Sequence, residues 1–160
     1  YNNDATTNKA KYGALYNWYT VNPANPKKIA PAGWHVPTDA EWDILQNYLI
    51  VSGYNWDGTT TGNKIAKAMA AQTDWSASAN AGAIGNDLTK NNGSGFSSLP
   101  GGYRYNDGTF SYQSNLGDWW SATENVASSA CNRNLYYDCD YLYRISLSKS
   151  CGFSVRLVRD

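Results

Sequence analysis

Hydrophobic positions repeat differently in the two halves of the chain. From Thr38 onward, Trp42, Leu45 and Leu49 recur at the spacing of one helix face, with Ile44 and Tyr48 widening the stripe. Thr38 and Glu41 stand in the S/T-x-x-E arrangement that closes a helix start, and Pro37 and Trp42 occupy the staple positions around it. Ser52-Gly53 supplies a stop. The spacing therefore predicts a helix from Thr38 to about Ser52, and a shorter one from Gly62 to Ala71 through Ile65, Ala68 and Met69. Before these, Lys11 to Tyr19 reads as an aromatic-rich strand. Val21 to Pro37 holds four of the five prolines and reads as a loop.

Residues 72–95 are mostly Ala, Ser, Asn and Gly, with little periodicity, and predict a long loop of the kind that often carries function. Past Phe96 the pattern becomes short strands and turns. Leu99 to Arg104 turns into a strand, and Asn106-Asp107-Gly108 is a hairpin signal. Further strands are expected at 118–122, near 131–137 and 141–148, and at Phe153 to Val158, where Phe153, Val155 and Leu157 share one face. Helices first and an antiparallel sheet second predict an α+β class, with one domain over residues 1–160.

Composition narrows the function. The chain has 160 residues, with 13 Lys+Arg against 13 Asp+Glu, so its formal charge is zero. No basic cluster is present to neutralise phosphates, so nucleic acid is not an expected partner. No apolar run approaches the roughly 18 residues of a membrane span, and no membrane insertion is expected. The aromatics are 13 Tyr and 7 Trp against 3 Phe. A core could have used Phe; Tyr and Trp suit half-wet positions. The chain starts at Tyr1 with no signal-type segment, so targeting is not legible. Three cysteines, Cys131, Cys139 and Cys151, and a single histidine, His35, make no zinc set. No catalytic set of Ser-His-Asp or Cys-His type can be assembled, and His35 reads as a structural hydrogen-bonding residue. The expectations are no catalytic residue, no metal and no cofactor.

Five segments carry a resemblance. They are Tyr12-Gly13-x-Leu15-Tyr16-Asn17-Trp18-Tyr19, Pro31-Ala32-Gly33-Trp34-His35-Val36-Pro37-Thr38-Asp39-x-Glu41-Trp42, Gly95-Phe96-Ser97-x-Leu99-Pro100-Gly101-Gly102-Tyr103-Arg104, Trp119-Trp120-Ser121-Ala122-Thr123-Glu124 and Gly152-Phe153-Ser154-Val155-Arg156. Together they resemble the Fibrobacter succinogenes major paralogous domain, from Tyr12 to Asp160. That resemblance implies a C-type-lectin-like fold, in the branch shared with formylglycine-generating enzymes, with two helices packed on an antiparallel or mixed sheet and adjacent termini. Proteins of this fold include calcium lectins, copper oxidases and binding proteins diversified by retroelements. The chain lacks the Glu-Pro-Asn, Gln-Pro-Asp and Trp-Asn-Asp strings of the first, and its cysteines do not match the copper pair of the second.

The window from Cys131 to Cys151 fits the third. Of its 21 positions, 14 are Asn, Asp, Tyr, Ser or Cys. No packing rule groups these five types, but the genetic code does: the asparagine codon AAC yields Tyr, Asp, Ser or Cys when its adenines are replaced. Leu135, Leu142, Ile145 and Leu147 look like framework between them. The expectation is a fixed scaffold presenting a solvent-facing site made of Asn134, Tyr136, Tyr137, Asp138, Asp140, Tyr141, Tyr143, Ser146 and Ser148. An irregular path is expected around Tyr137 to Asp140. Of Trp119 and Trp120, one should fill the core and the other floor the site; Trp119 is included in the candidate site. At least two of the three thiols should then be accessible. Such a face has the composition of a paratope. The expected partner is a protein or glycan on another cell or surface, and the expected setting is extracellular, on a bacterial surface or phage particle. A constant surface lectin or adhesin, and an oxidase of the formylglycine-generating type, are the alternatives.

Overall fold

A computed structural model describes residues 2–160. Its α+β architecture places one long helix and several short ones around three small antiparallel sheets. The helices are α1 (Asn8–Tyr12), α2 (Trp18–Val21), α3 (Asp39–Val51) and α4 (Ala66–Met69), with a 3-10 turn at Leu88–Lys90. The strands are β1 (Trp34–His35), β2 (Tyr103–Arg104), β3 (Phe110–Ser111), β4 (Leu116–Val126), β5 (Ser129–Tyr136), β6 (Tyr143–Ser148) and β7 (Val158–Arg159). The largest sheet has the order β4-β5-β6; β1 pairs with β7, and β2 with β3.

Helix α3 starts as its capping box requires. The Glu41 amide donates to Thr38 Oγ1 at 3.2 Å, and the Thr38 amide donates to Glu41 Oε2 at 2.8 Å. Trp42 and Leu49 are buried and Leu45 packs at the edge of the same cluster. The apolar stripe is narrower than expected, however. Ile44 and Tyr48 are 68% and 59% exposed, because the sheet covers only one side of the helix.

Three other expectations need correction. The strand expected at Lys11 to Tyr19 is two short helices. Gly13, at φ +79°, ends the first, and Asn17 Oδ1 caps the second by accepting from the Thr20 amide at 3.2 Å. Only Tyr16 makes a strand-like bridge, to Phe153. The second helix shrinks from Gly62–Ala71 to Ala66–Met69, because Ala70 leaves it to bridge with Ser98. The clean strand expected at Phe153 to Val158 is broken into single bridges, and only Val158–Arg159 pairs regularly. Phe153, Val155 and Leu157 still reach one core cluster.

The first half of β4 and most of β5 are buried on both faces, and strand alternation sorts the two cores. On one face Trp119 and Leu135 join Trp42, Leu49, Ile65, Met69 and Trp75 from α3 and the segment after it. On the other, Trp120 and Ala130 join Trp18, Val21, Val36 and Phe153. The successive tryptophans thus belong to opposite cores, and neither is exposed. Arg133, fully buried in the middle of β5, ties the first face to α3 through Asp39 and Asp43. Arg144 joins the same Asp39 from β6.

The expected long loop is present and well anchored. The ammonium of Lys67 gathers oxygens of Asp87, Asn86 and Asn91 from it. Gly85 passes so close to the backbone of Ser76 that a Cβ there would lie 2.2 Å from the Ser76 carbonyl oxygen, which only glycine permits.

Candidate functional site

Strand β5 ends at Tyr136 and β6 begins at Tyr143; residues 137–142 between them follow an irregular path. Backbone hydrogen bonds fix much of that path, and Tyr137 and Leu142 anchor it in the first core. The Gly85 amide donates to the Tyr137 carbonyl at 2.7 Å, and the Ile84 amide to the Cys139 carbonyl at 3.3 Å. Asn80 Nδ2 donates to the Asp138 carbonyl at 3.0 Å, and the Ala66 amide to the Asp140 carbonyl at 3.1 Å. Asn63 brackets Leu142 by donating to its carbonyl at 2.8 Å and accepting from its amide at 3.1 Å. These bonds do not depend on which side chains stand at 137–140. The long loop is therefore a cradle that holds the connection in place.

Next to this connection lies a run of tyrosine rings. Tyr141 and Tyr143 have centroids 4.1 Å apart, Tyr143 and Tyr136 5.5 Å, and Tyr136 and Tyr112 6.4 Å. Tyr112 stacks on Tyr103 at 5.7 Å and 16°, and Tyr103 meets Tyr105 at 6.1 Å. Six tyrosines, from β5, the connection, β6, and the β2–β3 hairpin and the residue after it, thus form one continuous ladder. Tyr112, Tyr105 and Tyr141 are 50%, 46% and 37% exposed, and the other three are partly covered. Tyr112 sits at φ +65°, a left-handed conformation that is a rare choice for a bulky side chain and costs of order 1–3 kcal/mol. With the backbone in that conformation, its ring stacks on Tyr103. Burial pushes the phenols of Tyr103, Tyr136 and Tyr143 above their ordinary value, so they stay neutral donors. Carboxylates flank the ladder at Asp107, Asp138 and Asp140, and among the described residues no salt bridge reaches any of them. Asp140 instead accepts from the indole of the exposed Trp56 at 3.0 Å.

Of the residues expected in the site, the structure brings together Tyr136, Tyr141 and Tyr143, with Asp138 and Asp140 at the margin. It separates the rest. Ser146 and Ser148 alternate with Tyr143 along β6 and face the α3 side, where Ser146 meets Cys131. Tyr137 packs against the first core. Trp119 is 4% exposed in that core, with Phe96 edge-on at 6.1 Å. Asn134 lies on the ladder's face of the sheet but is 1% exposed beneath it. Two cysteines also depart from expectation. Cys131 and Cys151 are buried, and only Cys139 is partly exposed. Small and apolar enough for core positions, they pack there. All three are free thiols. The Cys139 thiol is pushed up by burial and lies 3.3 Å from the Tyr143 hydroxyl.

The sequence profile described as Fibrobacter succinogenes major domain matches residues 1–159. The chain belongs to that family. No curated protein and no solved structure matched it. In this Fibrobacter major domain, Tyr103, Tyr105 and Tyr112 were absent from the expected site. Their only sequence signal was the Asn-Asp-Gly turn, which registers Tyr103 opposite Ser111 but says nothing of the distant β5. Among the described residues, no group of three or more His, Cys, Asp or Glu side chains is arranged to hold a metal ion, and no helix is long and apolar enough to cross a membrane.

His35 bridges two carboxylates, Glu41 Oε1 at 2.8 Å and Asp160 Oδ1 at 2.6 Å. It joins the cap of α3 to the residue following β7. Both carboxylates, Asp160 foremost, raise its pKa.

Proposed function

We propose that this domain is a ligand-binding module whose recognition surface is the tyrosine ladder with its flanking carboxylates. The observation that carries this reading is the division of labour in residues 137–142: scaffold groups hold the backbone, and neighbouring side chains form a half-exposed aromatic face. Tyrosine offers large contact area at low entropy cost, and short polar neighbours supply adaptable hydrogen bonds. The surface suits a protein or glycan partner displayed on another cell or surface. In this reading the domain is a binder and not a catalyst, works outside the cell on a bacterial surface or phage particle, and carries the C-type-lectin-like scaffold that its motifs resemble. Retroelement diversification of positions such as Tyr136, Asp138, Asp140, Tyr141 and Tyr143 accounts for their shared codon relationship.

One observation favours a second reading. Asn132 and Asn134, within the codon-biased window, are buried, as a constant lectin or adhesin would allow and a freely varied position would not. A reverse-transcriptase gene beside this one, with a template repeat of the 3′ coding end, separates the two readings. The protein-level test is a display library varying the five positions above among Tyr, Asn, Asp and Ser, panned on purified proteins and glycans. Recovery of folded binders supports the module; a library that mostly unfolds, or yields no binder, overturns it.

A further inference from the structure

Three buried oxygens with no partner belong to neighbouring residues on the ladder's face of the sheet. Asp118 Oδ2, Asn132 Oδ1 and Asn134 Oδ1 are three of the five buried side-chain nitrogen or oxygen atoms left without a hydrogen bond among the described residues. Their residues are at most 1% exposed. They are also neighbours. Asp118 on β4 is directly opposite Asn134 on β5, which is directly opposite Tyr143 on β6. Asn132 is two residues along β5 on the same face, and its Nδ2 donates to Asp118 Oδ1. Among the described residues, no Lys, Arg or His side chain pairs with Asp118.

The cluster therefore holds one carboxylate and two amides, and it lacks positive charge. A buried charge needs a partner or a proton, and a buried acceptor needs a donor. A proton on Asp118 Oδ2 serves one amide oxygen and leaves the other bare unless that amide is also turned to present its nitrogen. Turning an amide to present its nitrogen serves an oxygen but leaves the charge uncompensated. A cation with a preference for oxygen ligands answers all three atoms and the charge at once. The charge count selects its valence: one carboxylate and neutral amides are balanced by a single positive charge, whereas a divalent ion would leave a net charge buried.

We propose that Asp118, Asn132 and Asn134 form a binding site for one alkali-metal cation of the sodium or potassium class, beneath Tyr136 and Tyr143. The ion ties β4 to β5 directly below the recognition surface. The site does not depend on the ladder being a binding face, and its test does not involve a ligand of that face.

The test is thermal unfolding of the full chain at constant ionic strength, with choline chloride replaced stepwise by sodium or potassium chloride. The expected result is a saturable rise in Tm with at least one of the two ions, of about 3–10 °C if the ion exceeds its Kd ten- to a hundred-fold. Asp118→Asn removes the buried charge while keeping the shape, and should abolish the rise. A second readout covers the case in which that variant folds poorly: the wild-type chain should broaden the sodium-23 resonance, and added potassium or heat unfolding should remove the broadening. Equal Tm in choline and alkali salts without sodium broadening overturns the proposal. So does an ion dependence that survives in a folded Asp118→Asn variant. If a proton holds the site instead, stability in choline falls as pH rises from the ordinary carboxyl value of 3.8 and levels off above about 8, with no ion dependence.

Discussion

Arg133 and Asp39 fasten the sheet that bears the ladder to helix α3, and removing either should cost stability by unequal amounts. Asp39 receives Arg133 Nη1, and its backbone carbonyl accepts from Nη2 at 3.2 Å. It also receives Arg144 Nε and Nη2 at 2.8 and 2.6 Å. Burial would raise its pKa, but the hydrogen bonds from Arg144 and Arg133 hold it below the ordinary value. The Arg133 side chain is fully buried, while Asp43, its other partner, is half exposed. Asp39→Ala therefore leaves a buried guanidinium with one exposed partner, and should cost about 3–5 kcal/mol, the range for an orphaned buried charge. Arg133→Met leaves Asp39 still paired with Arg144 and Asp43 still hydrated. Its stem volume is largely refilled, so the cost should be about 1–3 kcal/mol. The double variant should be less destabilised than the sum, by about 0.5–3 kcal/mol, because the residues share one network. Urea unfolding followed by tryptophan fluorescence measures all three. An Asp39→Ala cost below that of Arg133→Met, or strict additivity, would refute the assignment of Asp39 as the hub.

Two further outcomes are expected. The His35 link contributes stability in full below the ordinary histidine value of 6.5 and loses it as pH rises through the raised folded value; Glu41, held low despite burial by Thr38 and His35, contributes above 4.5 and loses it as pH falls. The Tm gap between wild type and His35→Gln should accordingly be widest between these values and close as pH climbs beyond 6.5; a gap that widens toward alkaline pH would contradict the bridge. Thiol titration of the native chain should modify Cys139 alone, and all three cysteines after unfolding; rapid native reaction of Cys131 or Cys151 would show that the β5 core is open.

What could be read from the sequence was local. The Thr38–Glu41 box and the Asn106-Asp107-Gly108 turn state their own geometry within four residues, and both elements stand where expected. The irregular path near Tyr137 was legible because strand alternation cannot expose every residue of a polar run. The errors arose where distant partners decide. Asn17 looks like part of a strand until its side chain is seen to cap a helix. Ser146 and Ser148 share their chemistry with Tyr143 but not its face, and only the β5–β6 register reveals that. Asn134 and Trp119 look like surface and floor from composition, yet the segments covering the sheet bury both. Tyr103, Tyr105 and Tyr112 could not be joined to the site from sequence, because the whole of β4 separates the hairpin that carries them from β5.

The most direct test of the recognition surface uses two tyrosines that the display library never varies. In a clone selected for tight binding to a chosen target, Tyr105→Ser and Tyr112→Asn remove ladder rings outside the codon-biased window. Asparagine is tolerated at the left-handed φ of position 112 and relieves its strain. The measurement is the target Kd of each variant by surface plasmon resonance, taken beside its Tm. The account predicts Kd at least ten-fold weaker for one or both variants, with Tm within a few degrees of the parent. Unchanged binding by both variants, or weakened binding only together with a collapse in Tm, would contradict it.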